Sequence, residues 1–234
     1  MASQDSITLV YLFVVLGWMP LAGVFSFLRL RAGKPLPAKT RVYRNMIVMQ
    51  IVLFGYSVAV ARHNEMSLLG TSPALWIWLI SAVYVAFIGL RLQAVWKKMN
   101  TERKSRARRL LPENPHHLRY WVPISLLAGL GEEIAFRGVA YEILRDLSGS
   151  TTFAIVTCVL AFAFAHMVQG WRGVLGTGIV ALLMHCLVYT TGGLYLAMAV
   201  HVAYDLILGF IAMRQYMLDG TQPVLQPQAA SSGG

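Results

Sequence analysis

The chain has 234 residues, of which 57% are hydrophobic and 13% charged, against about 25% charged in an ordinary soluble domain. A core of this size cannot hide that much apolar surface from water, which excludes a soluble globular domain. The net charge of +10 would suit a nucleic-acid binder, but the basic residues follow membrane topology instead, so the expected partner is a lipid bilayer and not nucleic acid.

Apolar runs over 7–28, 46–61, 74–90, 120–144, 152–168, 174–190 and 194–213 predict about seven membrane-spanning helices. The expected fold class is all-α, a polytopic integral membrane helix bundle. The first run is read as a retained span and not a cleaved signal, because 1–6 holds no basic residue and the positive charges follow the run. Between the third and fourth spans, Leu92, Val95, Trp96 and Met99 follow helical spacing within a basic stretch. That pattern predicts an amphipathic helix lying on the inner leaflet. Pro112 and Pro115 then break the chain before the fourth span. Gly173, Thr177 and Ala181 recur every four residues in the sixth span, as close helix packing requires. Cys158 and Cys186 lie in apolar stretches and form no disulfide framework. The expected division is 1–118 as N-terminal helices with a basic cytoplasmic loop, 119–213 as the chemical core, and 214–234 as a disordered tail.

Alternating spans put 17 of the 20 basic residues on one side. Arg62 and Arg145 fall on the other, and Arg137 is left inside the membrane. Positive charge marks the cytoplasmic side, so the N-terminus is expected outside and the C-terminus inside. A plain inner (plasma) membrane topology and small size point to a bacterial source.

The informative feature is ionisable chemistry inside apolar spans. The fourth span holds Glu132, Glu133 and Arg137; the fifth holds Phe162 and His166; the seventh holds His201 and Asp205. A charge at the bilayer centre costs about 2.5–3.5 kcal/mol even on a mild insertion scale, so such groups need a packed polar interior or a wet cavity. At about 1.5 Å per residue, Glu132 falls about 18 Å along its span. His166, His201 and Asp205 fall about 9, 18 and 12 Å from the inner face of a roughly 30 Å core. All four can therefore line one cavity in the inner half of the bilayer. Glu133 and Arg137 are four apart and can pair, whereas Glu132 is rotated about 100° away. That leaves Glu132 free for chemistry, although the reverse assignment stays open. Phe162 lies one turn before His166, where its ring would fix the imidazole and keep the site dry. His201 and Asp205 are again four apart. Gly129 and Gly131 leave room for a close approach.

A carboxylate and an imidazole can hold and deprotonate one water, and a second imidazole can donate to a developing oxyanion. These groups suit water-mediated acyl transfer, meaning peptide-bond hydrolysis within the membrane. Cys158 has no cationic neighbour in sequence and is read as core. Two His and two or three carboxylates could ligate zinc, yet neither HExxH nor HxxEH is present. No metal or other cofactor is therefore expected, with a zinc-dependent version kept as an alternative.

The three motifs, Glu132-Glu133-Ile134-Ala135-Phe136-Arg137, Phe162 to His166 and His201 to Asp205, together resemble the CPBP family (CAAX protease and bacteriocin-processing, Abi-like), over roughly 121–211. The resemblance implies an intramembrane, glutamate-type endopeptidase acting on a peptide or membrane-protein substrate such as a prenylated or leader-type segment. It implies that Glu132 and His166 activate water and that His201 and Asp205 stabilise the oxyanion, with Glu133, Arg137 and Phe162 in support. The eukaryotic CAAX endopeptidases carry Asn where this chain has Asp205, and an Asp donates a hydrogen bond only when protonated. Orienting His201 is therefore the alternative role for Asp205. Competing readings are a transporter or proton relay, which also needs intramembrane Glu, His and Asp, and a silent membrane scaffold. His63, His116, His117 and His185 are read as ordinary surface or packing residues.

Overall fold

The computed structural model describes residues 5–34 and 37–220, and no strand forms among them. The described residues make eight helices: α1 (Ser6–Arg31), α2 (Lys39–His63), α3 (Leu75–Lys98), α4 (Thr101–Arg108), α5 (115–148), α6 (Thr151–Ala165), α7 (Trp171–Thr191) and α8 (Tyr195–Leu218). Local chemistry sets their ends. Asn100, Asn114 and Ser150 accept backbone N–H groups of the first turns of α4, α5 and α6 at 3.0, 3.1 and 3.2 Å. Pro115 follows Asn114 at the first helical position, where its missing N–H has no consequence. Gly149 and Gly192 stop α5 and α7 in the left-handed conformation at φ 66° and 71°.

Each of the seven expected spans coincides with a helix. Five of them, α1, α2, α3, α7 and α8, are long and apolar enough to cross a membrane. The count of seven is not reached on those criteria, for two physical reasons. In α5 the apolar run is interrupted by Glu132, Glu133 and Arg137. α6 has only 15 residues, about 22 Å, and gives way to a short 3₁₀ turn, Met167–Gln169.

Two expectations are corrected. The stretch 92–99 is not a separate interfacial helix, because Leu92 to Lys98 simply continue α3. Trp96 is buried there, edge-on to Tyr216 of α8 with ring centroids 4.8 Å apart. Correspondingly, 214–218 do not belong to a tail but complete α8. The rest of the expected disordered tail, 221–234, lies outside the described residues.

Helix ends sort onto two faces. On one, Lys39 pairs with Glu113, and Lys104 pairs with Asp219 at 2.6 Å. On the other, His63 pairs with Asp5, and Gly70 bridges Gly193. This is the arrangement that alternating spans require. Large apolar side chains such as Phe13, Phe25, Val83, Leu90 and Ile179 stay exposed around the bundle, a lipid-facing belt. α5 runs through the middle, packed on α2, α8 and α6. Its glycines make that possible. A Cβ on Gly129 would sit 2.9 Å from the backbone N of Val202 in α8, and one on Gly131 would touch Gln50 and Phe54 of α2.

Candidate active site

The centre of α5 is not α-helical. Residues Glu133–Val139 form a π turn, wider by one residue than the α turns on either side. Such a turn loosens backbone hydrogen bonding, and here a neighbour reinforces it. The Tyr11 hydroxyl, fully buried, lies 2.9 Å from Ser57 Oγ and donates to the Ala135 carbonyl at 3.2 Å. Helices α1 and α2 thus brace the segment that carries both glutamates.

Glu133 is fully buried. Its Oε1 lies 3.3 Å from Arg137 Nη1, so the expected pair forms. The same oxygen lies 2.7 Å from His201 Nδ1. Arg137 in turn stands over the Phe162 ring, 4.3 Å from its centroid. Glu132 leaves the helix in another direction. Its Oε1 accepts a 2.6 Å hydrogen bond from Gln50 Nε2, and its Oε2 lies 3.9 Å from His201 Nε2. The two glutamates therefore diverge as the helical rotation predicts, yet both reach one imidazole, at its two different nitrogens. The close seating of α8 on Gly129 brings that imidazole between them. Asp205 Oδ2 completes the surround of His201 Nε2 at 3.8 Å. At 3.8 and 3.9 Å these contacts are electrostatic and are not hydrogen bonds.

His166 sits just past the end of α6, half-buried, with its ring 4.6 Å from that of Phe162. Its Nδ1 lies 2.8 Å from the Phe162 carbonyl. A carbonyl only accepts, so Nδ1 carries a proton, and in the neutral ring the lone pair is on Nε2. Asp205 lies within Coulombic range of His166, Glu132, Glu133 and His201. All the residues predicted from the three motifs are thus gathered at the meeting of α5, α6 and α8.

Four contributors were not anticipated. Gln50, Tyr11 and Ser57 come from the first two helices. Gln50 had a signal, a lone polar side chain within the run Ile47 to Phe54; Tyr11 and Ser57 had none. Trp121 Nε1 also donates to the Asp205 carbonyl at 2.8 Å, fixing the register of α8 beneath the site. Among the described residues, no group of three or more His, Cys, Asp or Glu gathers as a metal would need.

No curated protein and no solved structure matches the chain. A family model does match, over residues 114–207, a stretch that contains all three motifs, α5 to α7 and the first half of α8. By its description, this part of the chain is similar to the Rce1-like type II CAAX prenyl endopeptidases, and the CPBP resemblance of the three motifs is thereby borne out.

Proposed function

We propose that this protein is an intramembrane endopeptidase of glutamic type, in which Glu132 and His166 activate the attacking water without a metal. One observation carries the reading. Glu132 is 7% exposed and Glu133 is 0% exposed, so only Glu132 retains access, while Glu133 is committed to Arg137 and His201. A water held between Glu132 and the free Nε2 of His166 passes a proton to the carboxylate as its oxygen attacks the peptide carbonyl. The oxyanion that forms takes a hydrogen bond from Nε2–H of His201 in its doubly protonated form. Glu133 fixes the opposite nitrogen of that ring, as the 2.7 Å contact supports. Asp205 acts on His201 through its charge and does not itself donate. The tetrahedral intermediate then collapses, the C–N bond breaks, and Glu132 returns its proton to the leaving amine.

The substrate class we propose is a membrane-associated peptide, prenylated or leader-type, that reaches the site from the cytoplasmic half of a bacterial inner membrane. The N-terminus lies outside and the C-terminus inside. Residues 119–213 form the catalytic core, and the helices of 1–118 support it. The test is cleavage by the purified full chain in detergent of a farnesylated peptide ending in a CaaX sequence and of a leader-type peptide. Wild type cleaves one of them and keeps doing so after exhaustive chelation with metal content verified, whereas Glu132→Gln folds but does not cleave. Cleavage by Glu132→Gln, or its loss on chelation with return on added zinc, overturns the mechanism. Substrate-independent ion flux without cleavage would favour a transporter.

A further inference from the structure

Next to the candidate site lies a second group of buried polar atoms that the proposed mechanism does not use. His185 belongs to α7, a helix that supplies none of the motif residues but packs against the π turn of α5. It is 4% exposed, its ring lies 5.7 Å from that of Tyr141, and its Nε2 has no hydrogen-bond partner among the described residues. It stands within Coulombic range of both Glu133 and Arg137. Those two residues have orphaned atoms of their own. Glu133 Oε2 and Arg137 Nε are buried and unpartnered. Arg137 Nη1 meets Glu133 Oε1 as an ion pair at 3.3 Å but without an aligned hydrogen bond. Buried polar atoms left in this condition are destabilising, and native structures meet the need with an ordered ligand.

We propose that His185, Arg137 and Glu133 enclose a water-binding site, and that His185 is a positioning residue which, through that water, holds the Glu133 carboxylate against His201. The chemistry of the walls selects water. Arg137 Nε only donates, Glu133 Oε2 only accepts, and His185 Nε2 does either. One water can accept from the first, donate to the second and bond the third, which makes the usual three hydrogen bonds of a buried water. An anion would face the Glu133 carboxylate, and a metal cation would face the Arg137 guanidinium. The role assigned to His185 rests on the reading of Glu132 and His201 as catalytic groups.

Two measurements test it on the full chain. An experimental structure resolved well enough to show ordered solvent is expected to place a water within hydrogen-bond distance of His185 Nε2 and of Arg137 Nε or Glu133 Oε2. In peptide cleavage, His185→Leu is expected to lower kcat by about tenfold, the order of one lost hydrogen bond to a charged group, with KM changed by less than about twofold. His185→Gln, whose amide can hold the same water, is expected to stay within about threefold of wild type in kcat. No water in that position, an unaffected His185→Leu, or His185→Gln as impaired as His185→Leu overturns the proposal. If His185→Leu does not purify as a monodisperse species, the solvent in the wild-type structure decides. The two readings fail separately: an active Glu132→Gln sinks the mechanism itself, whereas an inactive Glu132→Gln beside a fully active His185→Leu sinks only the role of His185.

Discussion

Replacing Gly129 with alanine tests whether the close approach of α5 to α8 sets the geometry at His201. A Cβ at Gly129 would lie 2.4 Å from Val202 Cγ2, 2.9 Å from Val202 N and 3.2 Å from the Met198 carbonyl oxygen, where ordinary contact begins at 3.4 Å. The Val202 side chain can rotate away, but its backbone cannot, so α8 must retreat by about 0.5 Å. His201 immediately precedes Val202 on α8, and the 2.7 Å contact of its Nδ1 with Glu133 would lengthen to about 3.2 Å. A misplacement of about 1 Å can cost about a hundredfold in rate, so half of that predicts a loss of about tenfold in kcat. Overpacking should also lower stability by about 1–3 kcal/mol. Gly176→Ala is the control, since a Cβ there meets nothing within 4 Å; in a helix it should be neutral or slightly stabilising. The assay is steady-state peptide cleavage in detergent, with thermal melts of both variants. If Gly129→Ala keeps kcat within about twofold of Gly176→Ala, the close packing of α5 on α8 does not govern the site.

Gln50→Leu removes the 2.6 Å hydrogen bond that Glu132 receives. Hydrogen bonds to charged groups contribute about 1.5–3 kcal/mol, so cleavage should slow by about ten- to a hundredfold, and Gln50→Glu, which adds a like charge, should slow it further; equal activity in all three would refute the assignment. At the basic end of the bundle, His117 Nδ1 accepts the Glu113 backbone N–H at 3.2 Å, which requires the neutral ring. Burial, followed by the nearby charge of Lys39, holds its pKa below the ordinary histidine value. Its folded pKa is depressed, so the unfolded chain binds more protons as pH falls through about 6.5, and the stability His117 contributes is present above that range and lost below it. The melting temperature of wild type in detergent should therefore drop between about pH 7.5 and 5.5, and His117→Gln should drop less; parallel curves would refute this.

Most of the candidate site could be read from the chain because charge in an apolar run is costly. Glu132, Glu133, Arg137, His166, His201 and Asp205 stand out for that reason alone, and helical spacing correctly paired Glu133 with Arg137. Gln50 escaped because an uncharged amide raises little alarm, and its partner Glu132 lies 82 positions away. The stretch around Trp96 misled because its apolar face matches an interfacial helix as well as it matches a buried one. The covering ring, Tyr216, belongs to the far end of the chain.

The amino-acid sequence already shows an all-helical membrane protein and marks which side chains are too polar to face lipid. Those are consequences of hydropathy and local spacing, and they act within one segment at a time. Tertiary structure alone decided that His201 lies between two glutamates, that Glu132 keeps access while Glu133 is sealed, and that α1 and α2 brace the wide turn beneath them. Each of these depends on how closely separate helices approach, and that distance is set by glycines and partners remote in sequence.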